Sequence, residues 1–403
     1  MSSSLIEALF LQSGYNASLV AIGATLLGIT AGSGGTFLFL RKRALVSDAI
    51  AHATLPGIGI AFICMVALGG DGRNLTGLLI GSAVTATAGL LIVEWMTRAT
   101  RLDEDAAIGA VLSVFFGFGV VLLTVIQNLS SGRQAGLESF LLGSTAGMLF
   151  EDAVLIAVGG AIVLTAIYAL RRPLTLVAFD PEYASSTGIN VRQMDLAMMG
   201  IVMAVTVVGL KIVGLILVVA MLIIPAVTAR FWSEQTDRVV WMAGIVGGLS
   251  GYVGSAISVA QPGMPTGPVI VLVCFTLFVL SLLFAPGRGV IASLRRHRDF
   301  QLQVHRRQGL LAIAHNEPIF DQLTLSVLAR EKLIRPDGVA TERGNALATK
   351  ARRDEHRWDI VRKHQNDLGL SSRYDGLTDI ETLLTPDELN EIDQLIGPPS
   401  VIK

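Results

Sequence analysis

The sequence predicts an all-α polytopic membrane protein of about nine transmembrane helices, followed by a small charged domain at the C-terminal end. Three observations carry this. Of 403 residues, 52% are hydrophobic and only 16% charged, against roughly 25% charged in an ordinary soluble domain. Apolar runs of spanning length recur through the first 290 residues. Residues 295–403 hold 17 Lys and Arg and 17 Asp and Glu, of 31 and 32 in the whole chain, so the two parts are built for different solvents.

A helix needs about 20 apolar residues to cross a bilayer core. Runs of that kind lie at about 17–40, 45–68, 76–96, 106–127, 151–170, 212–232, 239–260 and 267–285. Of two shorter pieces, 137–149 is too short to span and reads as a re-entrant helix, and 196–210 supplies a ninth span where the bundle is thin. The start of the chain lacks the basic residues and small-residue cleavage pattern of a signal peptide, so the apolar segment near Ser18 reads as a retained helix.

Basic residues orient these spans, because short cytoplasmic loops carry an excess of Lys and Arg. Arg41, Lys42 and Arg43 follow span one, Arg98 and Arg101 span three, Arg171 and Arg172 span five. Arg230 and Arg238 flank the loop after span seven, and Arg288, Arg295, Arg296 and Arg298 follow span nine. Lys211 is the exception. The pattern predicts an outside N-terminus and a cytoplasmic C-terminus.

Glycine, at 42 residues, is concentrated in small-residue stretches such as 77–89 and 243–256, which let helix backbones approach closely in lipid. Pro225 lies inside an apolar run and is expected to break or kink its span, freeing carbonyls. Cys64 and Cys274 each sit in an apolar run and read as buried thiols. The organisation is therefore a membrane domain over 1–290 and a cytoplasmic domain over 300–403. In the latter, 306–315, 319–333 and 342–367 show helical spacing, IRPDG (334–338) is a turn, and Thr385 with Glu388 forms a capping-box pair.

Asp48 and His52 are the sharpest chemical signal. Four residues apart at the start of span two, they share one helix face. His52 is the only one of six histidines in the membrane half. Ionisable groups at membrane depth usually face a pathway or a partner, and carboxylate with imidazole suits a divalent transition metal. Two facing copies would make a complete Asp2His2 site. An alternative reading makes Asp48 an interfacial cap near Arg43 and gives His52 a backbone carbonyl partner. Glu94, Glu151 and Asp152 lie at helix ends, where a carboxylate is cheap, and Met203 and Met221 read as packing.

Two segments carry a resemblance. LVSDAIAHATLPGIGIAF (45–62) and KIVGLILVVAMLIIPAVTAR (211–230) resemble the permease subunits of the ATP-binding cassette family that transports zinc, manganese and ferrous iron, over roughly residues 17–285. The resemblance implies that Asp48 and His52 face their counterparts in a second permease, identical or paralogous. FDPEYASSTGINVRQMDL (179–196) resembles the family's ATPase-docking loop, with Asp180, Pro181, Glu182, Tyr183, Ala184, Thr187 and Gly188 at the contact. It reads as a short helix from Pro181 to Thr187, stopped by Gly188.

The chain has no G-x-x-x-x-G-K-[ST] phosphate loop, so ATP hydrolysis belongs to a separate subunit and this chain is not an enzyme. The resemblance further implies an extracytoplasmic metal-binding protein as partner, a bacterial cytoplasmic (inner) membrane location, and no permanent cofactor beside the transported manganese, zinc or iron. Two readings compete with this one. In a gradient-driven transporter Asp48 would carry protons; in a membrane-tethered metal sensor the tail would be the working part.

The tail, from LAREKLIRPDG through TDIETLLTPDELNEIDQLIGPP, resembles the winged-helix and dimerisation segments of diphtheria-toxin-repressor-type proteins. His356 occupies the place of a metal-binding histidine there. The carboxylate expected one turn later is Ile360, and the later acidic cluster is reduced to Asp379 and Glu381, so the implied regulatory metal site is incomplete. The balanced charge leaves no excess for nucleic-acid phosphates, despite a stripe of Lys350, Arg352, Arg353 and Arg357, and DNA is not an expected partner.

Overall fold

The computed structural model describes residues 2–70, 74–128, 148–261, 264–364 and 377–396. The chain divides into two compact units, Met1–Val290 and Ile291–Lys403. The first unit is helical throughout its described residues. A short α1 (Ser2–Leu9) precedes α2 (Tyr15–Leu40), α3 (Ala44–Ala67), α4 (Leu75–Ala99) and α5 (Glu104–Gln127). Then come α6 (Phe150–Phe179), α7 (Pro181–Ser186), α8 (Val191–Val213), α9 (Leu215–Arg230), α10 (Thr236–Ala260) and α11 (Thr266–Phe284).

Eight of these are long and apolar enough to span a membrane, and α9 is a shorter apolar helix. Against the nine predicted, eight helices of spanning length are present among the described residues, and two members differ from the prediction. The piece read as marginal, 196–210, belongs to the full-length α8, whose first five residues include Arg192 and Asp195 and so escape an apolar-run reading. The piece read as a full span, 212–232, is divided at Gly214, where φ is +79°, leaving α9 at 16 residues. Only glycine tolerates that backbone without strain. Pro225 does not break its helix as expected: α9 runs through it, and the chain is broken at Gly214 instead. The segment 137–149 lies, except for Met148 and Leu149, outside the described residues.

Helix α2 is the axis of the unit, packing against α6, α8, α9 and α10. Its closest neighbour is α10, where Gly28 and Gly247 face each other so tightly that a Cβ on either would overlap the other's carbonyl oxygen. With no hydrophobic drive between helices in lipid, such backbone proximity supplies the dispersion contact that holds them. Buried hydroxyls are returned to their own helices, as Thr30 Oγ1 donates to the Leu27 carbonyl at 2.9 Å and Thr36 Oγ1 to that of Gly32 at 3.0 Å. Helix α3 packs against α4, α5 and α8. Of the two thiols, Cys274 is buried, but Cys64 is exposed on α3, correcting the expectation that both are covered. An apolar run in a membrane helix has an outward side as well as a core side, and Cys64 falls on the former.

In the second unit, α12 (Val290–His315) starts well before the helix expected at 306. α13 (Gln322–Arg330) is shorter than 319–333 because Asp321 caps it, its carboxylate accepting from the Thr324 amide at 2.8 Å. α14 (Glu342–His364) and α15 (Pro386–Ile396) follow. The capping pair is present: the Glu388 carboxylate accepts from the Thr385 amide at 2.8 Å. Where the repressor resemblance places a wing, the described residues form one isolated antiparallel bridge, Ile334 to Ala340, rather than a sheet.

Candidate metal site

The site is set by what happens between α2 and α3. Lys42 takes a left-handed φ of +61°, so the chain reverses over three residues and α3 begins at Ala44. Asp48 and His52 follow, one turn apart on the same face, with His52 Nε2 lying 3.4 Å from Asp48 Oδ1. The His52 ring stands edge-on to Phe116 of α5, centroids 5.0 Å apart and planes at 83°, which fixes its orientation.

Three features make this pair chemically unfinished. His52 Nδ1 is buried with no hydrogen-bond partner, which disposes of a carbonyl-bonded structural histidine. Pro56 lies inside α3 four residues after His52, and, having no N–H, cannot donate the helical hydrogen bond to the His52 carbonyl. Among the described residues Asp48 has no arginine partner: the Arg43 guanidinium is engaged by Glu104 at 2.9 Å and Asp195 at 3.2 Å, which argues against an Asp48–Arg43 pair. Among the described residues no group of three or more His, Cys, Asp or Glu comes together to hold a metal ion. Among the described residues the pair thus offers two candidate ligand side chains, where a tetrahedral metal site takes about four.

Several other membrane-unit carboxylates are occupied. Asp195, at the start of α8, is shared by Arg41 and Arg43, with Arg41 Nε at 3.2 Å. Glu94 is held by Arg98 at 2.9 Å and Arg192 at 3.0 Å. Arg288 reaches Glu234 at 2.6 Å. These pairs join the basic loops to one another, so the basic loops share one end of the bundle. Asp152 is buried and accepts from the Leu149 amide at 3.0 Å, closing the start of α6. Met221 is buried in the core, and Met203 packs on it while accepting from Thr87 Oγ1 at 3.3 Å.

Helix α7 lies at the same end and is braced at both termini. Asp180 accepts from the Tyr183 amide at 2.9 Å, with Pro181 in the first turn. At the other end Gly188, at φ +87°, donates to the Ser185 carbonyl and Ile189 donates to that of Ala184, a complete Schellman ending. Ala184 is fully buried, whereas Tyr183 is exposed. Asn190 then caps α8, accepting from the Gln193 amide at 3.2 Å. A rigid path thus runs from α7 through the first turn of α8 to Asp195, and across Arg41 and Arg43 to the start of α3. Glu104 and Phe116 carry no motif in the sequence; Pro56 and Asp195 lie inside the segments 45–62 and 179–196, where nothing singled them out beyond the spacing of Pro56 after His52.

In the tail the residues proposed for a regulatory metal site are not brought together. His356 is exposed. Glu381 is paired with Lys350 at 2.9 Å and Arg357 at 3.4 Å, and Asp379 faces Lys350 at 3.6 Å. The basic stripe is likewise engaged, since Arg353 and Arg357 both hold Asp393, at 2.6 and 2.7 Å. Three of its four cations, Lys350, Arg353 and Arg357, are thus answered within the unit.

The ABC 3 transport family matches residues 15–285. The chain is 39% identical over 310 residues to the manganese transport system membrane protein MntC of Bacillus subtilis (strain 168), covering 77% of this chain and 70% of that one. It is 37% identical over 292 residues to the zinc transport system membrane protein TroC of Treponema pallidum (strain Nichols), covering 72% and 96%. Among solved structures it resembles PsaBC from Streptococcus pneumoniae in complex with Fab, with a TM-score of 0.61 and 28% identity over 72% of this chain and 98% of that one.

Proposed function

The chain belongs to the ABC 3 transport family, and we propose that it is the membrane permease of an ATP-driven importer for a divalent first-row metal, manganese, zinc or ferrous iron. The observation that carries the reading is the Asp48–His52 pair: two good ligands, an unpartnered buried Nδ1, and no third protein ligand among the described residues. A facing copy or paralogue would double the pair to two carboxylates and two imidazoles. Carboxylate and imidazole accommodate all three metals, and selection among them follows from geometry and availability.

In this reading the metal is cargo. An extracytoplasmic binding protein delivers it at the end away from the basic loops, and the excess of Arg and Lys at the opposite end supports an outside N-terminus and a cytoplasmic C-terminus. Asp48 must be ionised and His52 neutral to bind it, so loading is opposed by protons. A separate ATPase docks on α7, where the exposed Tyr183 and the braced backbone give it a rigid handle. Displacement of α7 moves Asp195, and with it the Arg41–Arg43 linker that carries α3; release toward the cytoplasm follows. The tail serves a structural or regulatory role in the assembly, without DNA as a partner.

The test is uptake of radioactive manganese or zinc by proteoliposomes holding the permease and its ATPase. Asp48→Ala/His52→Ala is expected to abolish uptake while the complex still assembles and hydrolyses ATP. Import at the wild-type rate by that assembled variant refutes the site.

A further inference from the structure

A cavity of about 770 Å³ opens between α6 and α10, with α2 as its floor. It touches neither Asp48 nor His52, so it is no part of the metal route. Its hydroxyls are spent on the helices themselves: Thr25 Oγ1 donates to the Ala21 carbonyl at 2.6 Å, Thr165 Oγ1 to that of Ala161 at 2.7 Å, and Ser33 Oγ to that of Val240 at 3.4 Å. Along Gly244 to Leu249 the wall therefore offers an apolar surface, with the remaining donors, Tyr168, Trp241 and Arg171, gathered at one end, which excludes sugars, ions and peptides as occupants of its length. Along α10 the lining runs from Asp237 to Tyr252, about 22 Å at the helical rise. That accommodates one acyl chain, since each leaflet spans about half of a ~30 Å core.

One end differs. Arg171 on α6 and Asp237 in the first turn of α10 bridge the groove at 4.0 Å, the loose limit of an ion pair, and both side chains remain accessible to solvent. The Arg171 guanidinium sits 4.4 Å above the Tyr168 ring, and Tyr168 and Trp241 are exposed beside it. Exposed Tyr and Trp next to charged residues mark the level of lipid head groups. An apolar channel ending in one accessible cation and one accessible anion is complementary to an amphiphile whose head carries one charge of each sign.

We propose that this groove holds a single phospholipid with a phosphoethanolamine head, its phosphate against Arg171, its ammonium against Asp237, and one acyl chain along α10. A purely anionic head would satisfy Arg171 while facing Asp237, and a quaternary ammonium would bring no N–H to that carboxylate. The lipid fills the space between α6 and α10 that protein side chains leave open.

The full chain, carried in nanodiscs of equal parts phosphatidylethanolamine, phosphatidylglycerol and phosphatidylcholine, is released and weighed by native mass spectrometry. The expected result is one retained lipid per chain, enriched in phosphatidylethanolamine over the bath. Arg171→Gln is expected to lower its retention about tenfold, the loss of one charge-assisted contact. Asp237→Asn is expected to keep a lipid but lose the preference for phosphatidylethanolamine over phosphatidylglycerol. Release of the wild type without lipid, or with lipids in the bath ratio, overturns the proposal, as does an unchanged preference in both variants. The wild-type head-group preference is read without any substitution, so a poorly folding variant leaves the test intact.

Discussion

Two charged clusters, one at the head of α3 and one between α14 and α15, use similar side chains to opposite ends. Around Arg357 every charge is answered. Its guanidinium meets Asp393 at 2.7 Å, Asp354 at 3.2 Å and Glu381 at 3.4 Å, while Lys350 and Arg353 complete the set. At Asp48 and His52 the nearby arginines are spoken for by Asp195 and Glu104, and the pair is left with a bare ring nitrogen and half a coordination shell. A closed network holds a structure together; an open one in a membrane helix, where unsatisfied polar groups are costly, is what the proposed metal site requires. The sequence offered Asp48 and His52 as a metal site and, in the tail, an incomplete one that shares Glu381 with this closed cluster; the difference in satisfaction separates them.

The comparison is broken most forcefully at the closed cluster. Arg357→Ala strands Asp354, itself almost wholly buried, and is expected to destabilise the tail by about 3–5 kcal/mol, the cost of leaving a buried charge unpaired. Hydrogen exchange over α14 in the full chain measures it, and metal uptake by the assembled complex should change far less. The converse holds at the open pair. His52→Ala alone should lower metal uptake by more than about 100-fold, since even outer-shell changes cost about 10–100-fold, without altering exchange in α14. If the closed cluster were the regulatory metal site, Arg357→Ala would change metal affinity, and metal would protect the tail.

Asp195→Asn sharpens the contrast from the third side. It removes the anion shared by Arg41 and Arg43 without touching the ligands, so uptake is expected to fall about tenfold, by roughly one charged hydrogen bond, with ATP hydrolysis retained. Equal losses of uptake and hydrolysis would make Asp195 merely structural.

The smallest effect is acid lability of the tail. The Arg357 hydrogen bond holds the Asp393 carboxyl below the usual range, and that from Lys350 does the same for Glu381. Depressed folded values mean stability that is full above the unfolded values and lost as pH falls through the folded ones. Burial raises Asp354, which has the opposite sign: its contribution is present at low pH and fades as pH rises through its folded value. With two groups against one, protection of α14 is expected to weaken below about pH 4, and Arg357→Gln to flatten that dependence.

Much of the bundle was legible because bilayer length and basic loops are local signals. Spans at α2 through α6 and the Gly188 stop of α7 need only the residues in them. The exchange between α8 and α9 was not legible, because Arg192 and Asp195 look like loop residues until Arg41 and Glu94 are seen to receive them. Gly214 looks like any of 42 glycines until its φ is known. Asp48 and His52 stood out by spacing alone; what spacing could not reveal was that Arg43 is taken and Nδ1 is bare. In the tail, the stripe from Lys350 to Arg357 looked like a free basic face because its acceptors, Asp379, Glu381 and Asp393, come from later in the chain.

The most direct test of the account is the metal content of the purified complex, counted per permease. The wild type is expected to retain about one manganese or zinc ion for each facing pair of permeases, the four-ligand site of two Asp and two His, and Asp48→Ala to retain none. One ion on each isolated chain, or equal metal in wild type and variant, would contradict a site shared between two permeases and move the ligands elsewhere.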